Sequence, residues 1–427
     1  MMEPNVMRKI DYHVGIPLCF LITCFCRLQK LLGFQRVDPK EKPRNVLFIE
    51  LIEMGSTVIA YPAMKELKRR YPEANIFFLL FKQIEETIDL VDIVPKDNVF
   101  VLDNTSPFSV LKDTLRFMWQ CRRKKIDTVI NLQMFVRYST ILSYLTGAKR
   151  RVGFFRYNQE GIYTGDVLTH KVIYNPHVHT AYSFLALVYA LDAPAEQIPM
   201  VKFSLDGVNL ELPKIACDQT AKNKIWDILK AVNAEIDETK KIVVVNPNAS
   251  KLFAMRKWPL ENYASLIGML LEDEDIYVAI TGIKSEKADA DYICSLVKDK
   301  RVLDLTGKTT LRQLVDLYNI AKILITNDSG PAHFACLTTV HVVVFFGPEL
   351  PNRYKPLTDR CTVVYANYAC SPCVGPYNQR LTPCNDNLCL KTISVNYVYG
   401  LLRSLLQEAS APRRVAPDRV SWKEANG

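Results

Sequence analysis

At 427 residues, with 49% hydrophobic and 23% charged side chains, the chain can form at least two separate cores and is too apolar to be disordered over most of its length. Its formal charge of +9 is scattered, with clusters at Arg122, Arg123, Lys124 and Lys125 and at Lys149, Arg150 and Arg151 that read as solvated element ends. The surplus suits an anionic partner or a membrane surface, and no nucleic-acid module is recognisable. Twelve cysteines, most of them single within apolar runs such as those holding Cys294 and Cys336, with no signal peptide, fit a reducing cytoplasm.

The first predicted element is the apolar run Val14 to Phe25, flanked by Arg8, Lys9, Arg27, Lys30 and Arg36. A spanning helix needs about 20 apolar residues. This shorter run predicts an interfacial or re-entrant helix, the alternative being a helix packed on the body of the protein. From Asn45 the pattern predicts strands at 45–51, 75–81 and 126–132, alternating with helices at 56–70 and 107–124. Continuously apolar strands separated by helices indicate a parallel sheet covered on both faces. The pattern blurs from Gly153 to Leu205, with one helix near 181–191, and 206–211 reads as a linker.

Alternation resumes with strands at 241–246, 276–281, 301–303, 322–326 and 341–346 and helices at 260–271, 285–297, 311–320 and 331–337. Two doubly wound α/β domains follow, with the site in the cleft between them. The division is 1–44 (N-terminal membrane-associating segment), 45–205 (first domain), 206–394 (second domain) and 395–427 (C-terminal helix and tail). The helix at 395–408 is expected to pack back across the cleft, and the residues from Ala411 to be disordered.

The most informative stretch is 326–348, TNDSGPAHFACLTTVHVVVFFGP. A strand end running into Asn-Asp-Ser-Gly-Pro and a short helix gathers backbone amides, a hydroxyl and a histidine at the carboxyl end of a parallel sheet, where open α/β folds bind phosphorylated ligands. An ordinary N-capped turn is the bland alternative. Asp328, Ser329, Gly330 and His333, followed by Phe346, Gly347 and Pro348, resemble the nucleotide-sugar site of family 9 glycosyltransferases, the lipopolysaccharide heptosyltransferases, whose pattern is Asp-(Ser/Thr)-Gly-x-x-His and then Phe-Gly-Pro.

The resemblance covers most of residues 45–395 and implies the GT-B fold, two Rossmann-like domains facing a central cleft. The first would hold the acceptor and the second the nucleotide sugar. It implies an inverting, metal-independent transfer of a heptose or related sugar, with ADP-heptose as donor, to a lipopolysaccharide-core or other lipid-linked acceptor. The N-terminal run resembles an extension of some family members and implies peripheral attachment at the inner face of a bacterial inner membrane. Another donor sugar or a protein acceptor is one alternative. A non-catalytic nucleotide-binding scaffold at the membrane is another.

Residue by residue, Ser329 and Gly330 would meet the diphosphate at a helix start. Asn246-Pro-Asn-Ala-Ser250, with Asn246 and Ser250 as donor contacts, leads to Arg256-Lys257-Trp-Pro, where the family has Lys-x-Trp-Pro; either cation could offset leaving-group charge. Thr281, Gly282 and Glu286 follow a strand where nucleotide-binding folds put a carboxylate on the ribose, and the family's matching glutamate contacts the nucleoside. The base departs from the family. Its Gly-Asp after the first strand is Gly55-Ser56 here, so Glu53, three residues before Ser56, is the nearest substitute, with a solvent-facing or helix-capping carboxylate as the alternative. Glu50 lies inside the strand pattern and is the weaker candidate. Arg137 and Tyr138 are candidate acceptor contacts.

No cofactor is expected for catalysis. Cys370, Cys373, Cys384 and Cys389, spaced C-x2-C-x10-C-x4-C in a Pro- and Asn-rich loop, suggest a structural zinc or iron site, with free thiols or two disulfides as alternatives. A cysteine cluster here also resembles some family members.

Overall fold

The computed structural model describes residues 2–33, 41–158, 160–194, 197–199, 201–249 and 251–408. Ser250, Arg36 and the tail from Ala411 therefore lie outside the described residues. Among the described residues, twelve strands form two all-parallel sheets. The first contains β1 (Asn45–Ile49), β2 (Asn75–Phe81), β3 (Val99–Leu102), β4 (Thr128–Asn131), β5 (Arg150–Phe154) and β6 (His170–Val172), in the order β3-β2-β1-β4-β5-β6. The second contains β7 (Lys241–Asn246), β8 (Ile276–Ile280), β9 (Val302–Asp304), β10 (Ile323–Asn327), β11 (His341–Phe346) and β12 (Cys361–Tyr365), in the order β12-β11-β10-β7-β8-β9.

The two orders are one topology used twice. In each half the first strand is central, the next two build outward on one side and the last three on the other. The winding direction reverses beside β1 and β4, and again beside β7 and β10, which opens a crevice at the carboxyl ends of those strands. Register brings Thr326 of β10 level with Asn246 of β7, so both candidate donor loops leave the sheet at the same height. Strands such as β2 and β11 are buried on both faces, which is why they read as unbroken apolar runs.

Several expectations are revised. The helix expected at 56–70 is two helices, Met54–Ile59 and Tyr61–Arg70, the second beginning with Pro62 near its start, where a proline is tolerated. Strands β3, β5, β6 and β12 are not among those the sequence pattern predicts. In β5 the cluster taken as solvated turns inward: Arg151 is buried and donates from Nε to Val167 O at 2.9 Å and from Nη1 to Ala148 O at 2.7 Å. The C-terminal helix Val395–Glu408 does not return across the cleft. It packs on helix Leu260–Leu270 and buries Val398 and Leu402 in the second core.

The N-terminal run is longer than its apolar stretch suggested. Helices Pro4–His13 and Gly15–Leu31 make Asn5–Leu31 long and apolar enough to cross a membrane by length and composition. One face, with Cys19, Thr23 and Cys26, is buried and the helix packs on Arg137–Leu145. The other exposes Leu18, Phe20, Leu21 and Phe25. Arg137, expected near the acceptor, is buried in an ion pair with Asp11 at 3.0 Å, and so pins this segment to the first domain. Gly15 lets the two approach closely, since a Cβ there would sit 3.0 Å from Arg137 Cβ and press on the buried arginine.

Candidate active site in the cleft

The loop after β1 supplies the first wall. Glu53 is the N-cap residue of helix Met54–Ile59, yet its carboxylate caps nothing. It accepts from Ser56 Oγ at 2.7 Å and from Arg380 Nη2 at 2.9 Å, and Arg380 Nη1 closes a second ion-pair contact. The same Arg380 nitrogen donates to Tyr354 Oη at 2.8 Å. Arg380 belongs to the cysteine-bearing loop of the second domain, so this strut crosses the cleft. Burial lowers its pKa to about 10, opposed by the charge of Glu50.

Glu50, set aside as a strand residue, lies one residue past β1 and is buried. Its Oε1 accepts from the amides of Ile52 at 3.3 Å and Glu53 at 3.2 Å, and from Gln133 Nε2. Desolvation outweighs these bonds and the Arg380 charge and pushes the carboxyl up to about 7.

The second wall is organised around Asn327, a residue the sequence did not single out. Fully buried, it donates from Nδ2 to Pro247 O at 3.0 Å and Asn248 O at 3.2 Å. Its Oδ1 accepts from Trp258 N at 3.0 Å and Tyr263 Oη at 3.1 Å. One amide thus ties the Asn-Pro-Asn turn to the Trp-Pro helix start. Asn246 Nδ2 donates to Thr281 O at 3.1 Å, which aligns the loops after β7 and β8. Asn248 Nδ2 and Glu286 Oε2 converge over Gly282, where an added Cβ would lie 2.8 Å from each. Glu286 also accepts from Ile283 N at 2.8 Å, and burial raises its pKa. Asn248 Oδ1 is buried with no hydrogen-bond partner among the described residues, which leaves it available to a ligand donor.

The expected phosphate cations are not bare. Arg256 pairs with Asp328 at 3.0 Å and with Glu349 at 3.5 Å, and Glu349 pairs with Arg353 at 2.5 Å, all four side chains being buried. Burial pushes Glu349 up to about 7 against the two guanidinium groups, and raises Asp328 as well. Lys257 turns to Asp289 of helix Lys287–Val297. Ser329 donates from Oγ to Asn327 O at 3.1 Å, and Gly330 opens the short helix Gly330–Ala335.

His333 is on that helix, but its ring lies against the first domain: a Cβ on Gly55 would sit 2.4 Å from His333 Cδ2. Desolvation, then the charges of His179 and Arg256, lower its pKa to about 3 and keep it neutral. A Cβ on Gly330 would lie 3.7 Å from Met54 Cβ, so the helix start of one domain adjoins the Glu53 loop of the other.

The four cysteines of the loop gather near one another without forming a metal-ligand set among the described residues. Cys370 is exposed, Cys389 is buried against Gly347, and all four thiols are free. Desolvation and then the neighbouring Cys373, Cys370 and Cys384 push Cys389 up to about 11. No three His, Cys, Asp or Glu side chains come together as a ligand set among the described residues, so a structural zinc or iron is not supported.

Residues 114–381 match glycosyltransferase family 9 (heptosyltransferase). The chain is 24% identical over 328 residues to the lipopolysaccharide core heptosyltransferase OpsX of Haemophilus influenzae, covering 76% of this chain and 85% of that one. It is 28% identical over 173 residues to lipooligosaccharide heptosyltransferase 2 of Campylobacter jejuni, where the match spans 40% of this chain and 52% of the relative, about half its length. In three dimensions it resembles the ADP-heptose lipopolysaccharide heptosyltransferase II of Escherichia coli, with a TM-score of 0.66 at 18% identity, over 86% of this chain and 100% of that one; at such identity the likeness speaks for the fold. A family match over more than half of the sequence, on two doubly wound domains that meet at this cleft, means that the chain belongs to glycosyltransferase family 9, the heptosyltransferase family.

Proposed function

We propose that the chain transfers a heptose or related sugar, with inversion, from a nucleotide-diphosphate donor to a hydroxyl of a lipopolysaccharide-core or other lipid-linked acceptor, with ADP-heptose the first donor to try. The donor lies on the second domain. Its nucleoside meets Asn248, Thr281, Gly282 and Glu286, and its diphosphate meets the Ser329–Gly330 amides beside the buried Arg256. The acceptor oxygen attacks the anomeric carbon, the bond to the diphosphate oxygen breaks, and Glu53 takes the acceptor proton while Ser56 and Arg380 fix its orientation. The observation that carries this reading is the juxtaposition of Gly330 with Met54, next to Glu53, across the cleft. The exposed apolar face of helix Gly15–Leu31, flanked by basic residues, supports attachment at the cytoplasmic surface of a membrane.

Glu53→Gln tests it. Donor binding should persist while transfer falls by a factor on the order of 10²–10⁴. An unchanged rate removes Glu53 from the mechanism. A second reading makes Glu50 the proton acceptor, favoured by its carboxyl being pushed up to about 7. It requires a rate inflection near that pH that Glu50→Gln abolishes. Wild type that binds ADP yet turns over no sugar donor would instead favour a scaffold.

A further inference from the structure

A partly open cavity of about 540 Å³ lies between the N-terminal helices, the first domain and the loop that carries Arg380. That volume is within the ~300–1,000 Å³ range of pockets that enclose a small molecule. Glu50, Glu53, Ser56 and Arg380, the groups of the candidate active site, are among its lining. The rest of its lining is mainly hydrocarbon, including Ile10, Leu18, Val110, Leu111, Ile141 and Leu145. Asp11, on the same wall, is neutralised by Arg137.

The walls have a second property. Leu18 and Leu111 line the cavity and are also exposed, so its rim lies between helix Gly15–Leu31 and helix Pro107–Arg123. On the latter, Phe108, Leu111, Leu115 and Trp119 recur at helical spacing along one face, and each is more than half exposed. Lys112, Arg116, Arg122 and Arg123 are on the same helix. An exposed apolar stripe on a cationic helix is the arrangement of an interfacial membrane element. The cavity therefore reaches the carboxylates of the candidate active site and has a rim between two exposed apolar helices.

We propose that this cavity binds the hydrocarbon tail of the acceptor: one acyl or prenyl chain of an amphiphile whose hydroxyl-bearing head rests at Glu53 and Arg380. The chain would pass from the bilayer between the two helices without crossing water, and the tail would then hold the head in register with the donor. As an acceptor subsite it rests on the transferase reading above. As a hydrocarbon site it does not, and the test separates the two.

The probes are n-alkyl β-glucosides of increasing chain length, kept below micellar concentrations and titrated calorimetrically into the full chain, with ADP as a separate titrant. Each buried methylene should tighten binding about fourfold, equivalent to about 0.8 kcal/mol, until the cavity is full. Stoichiometry should be one, with a negative heat-capacity change. Val110→Trp, which fills the cavity beside its rim, should flatten this dependence and leave ADP binding intact.

Independently of that variant's folding, a diazirine-tipped decyl glucoside should label the stretch 137–145 in wild type rather than Phe108 or Trp119. Affinity independent of chain length overturns the proposal. So does an equally steep dependence in Val110→Trp with labelling confined to the outer stripe, which would mean adsorption to the surface. A steep dependence in a protein that binds no ADP and turns over no donor upholds the hydrocarbon site and sinks the transferase reading. Donor turnover with a flat dependence sinks the cavity alone.

Discussion

Gly55→Ala probes the contact that sets the spacing of the two domains. The new methyl carbon would lie 2.4 Å from His333 Cδ2, about 1 Å inside ordinary van der Waals contact, and the imidazole is buried with little room to turn. Something must move, either the ring or helix Met54–Ile59 relative to helix Gly330–Ala335. Overpacking of this kind costs about 1–3 kcal/mol. Because Glu53 and Gly330 adjoin through this contact, a displacement of that size should also reduce kcat/KM by as much as ~100-fold. The check is a double-mutant cycle. Gly55→Ala, His333→Ala and the double variant are unfolded in urea, and the two alanines should couple by about 1–3 kcal/mol, with the cavity left by the imidazole absorbing the methyl group. Stability is the deciding readout, since His333 is itself a candidate donor contact. If Gly55→Ala unfolds and turns over as wild type, or destabilises equally with and without the imidazole, the close approach is not what fixes the cleft.

Three further outcomes follow from buried polar groups. Asn327→Leu leaves four partners unmatched, among them Trp258 N and Tyr263 Oη, and should cost at least about 3 kcal/mol, against about 1 kcal/mol for Tyr263→Phe; denaturant midpoints decide. His170, His179 and His333 are held neutral by burial, at about 4, 4 and 3, below the unfolded value of 6.5. The unfolded chain then binds more protons, so their contribution is complete above pH 6.5 and is lost as pH falls towards these values. At pH 5 each should cost on the order of 2 kcal/mol, and a stability that is flat from pH 7 to 5 would contradict this. Glu50 has the opposite sign. Its carboxyl is raised by burial from 4.5 to about 7, so its contribution is complete below pH 4.5 and lost as pH rises through 7. Glu50→Gln should therefore gain on wild type between pH 5 and pH 8 by up to roughly 3 kcal/mol, and a pH-independent difference in urea midpoints would refute the assignment.

What could be read in the sequence followed from what each residue's neighbours in the chain determine. Strands β1, β2, β7 and β11 are buried on both faces, so their identity is written in consecutive apolar residues. Strand β5 opens with Arg150 and Arg151, whose charges are satisfied only once the chain has folded around them, and β6 spans just His170–Val172; neither has a local signature. The site divides in the same way. Ser329, Gly330 and His333 are consecutive enough to form a recognisable pattern. Arg380 meets Glu53 from 327 positions away, and Glu349 acquires meaning only through Arg256 and Arg353. Arg256 was legible as a cation but not as one already paired, because pairing is a tertiary fact. The cysteine spacing suggested a ligand set that the folded loop does not assemble.

One apolar cluster runs through both halves of the molecule, joining Ile59, Ile88 and Phe184 to Val315, Phe334 and Tyr354. Neither half owns all of its interior, so excising one at the interdomain segment would strip the other of packing and leave a greasy scar. The two lobes should accordingly melt in a single calorimetric peak, and fragments expressed separately should be insoluble until they are supplied together.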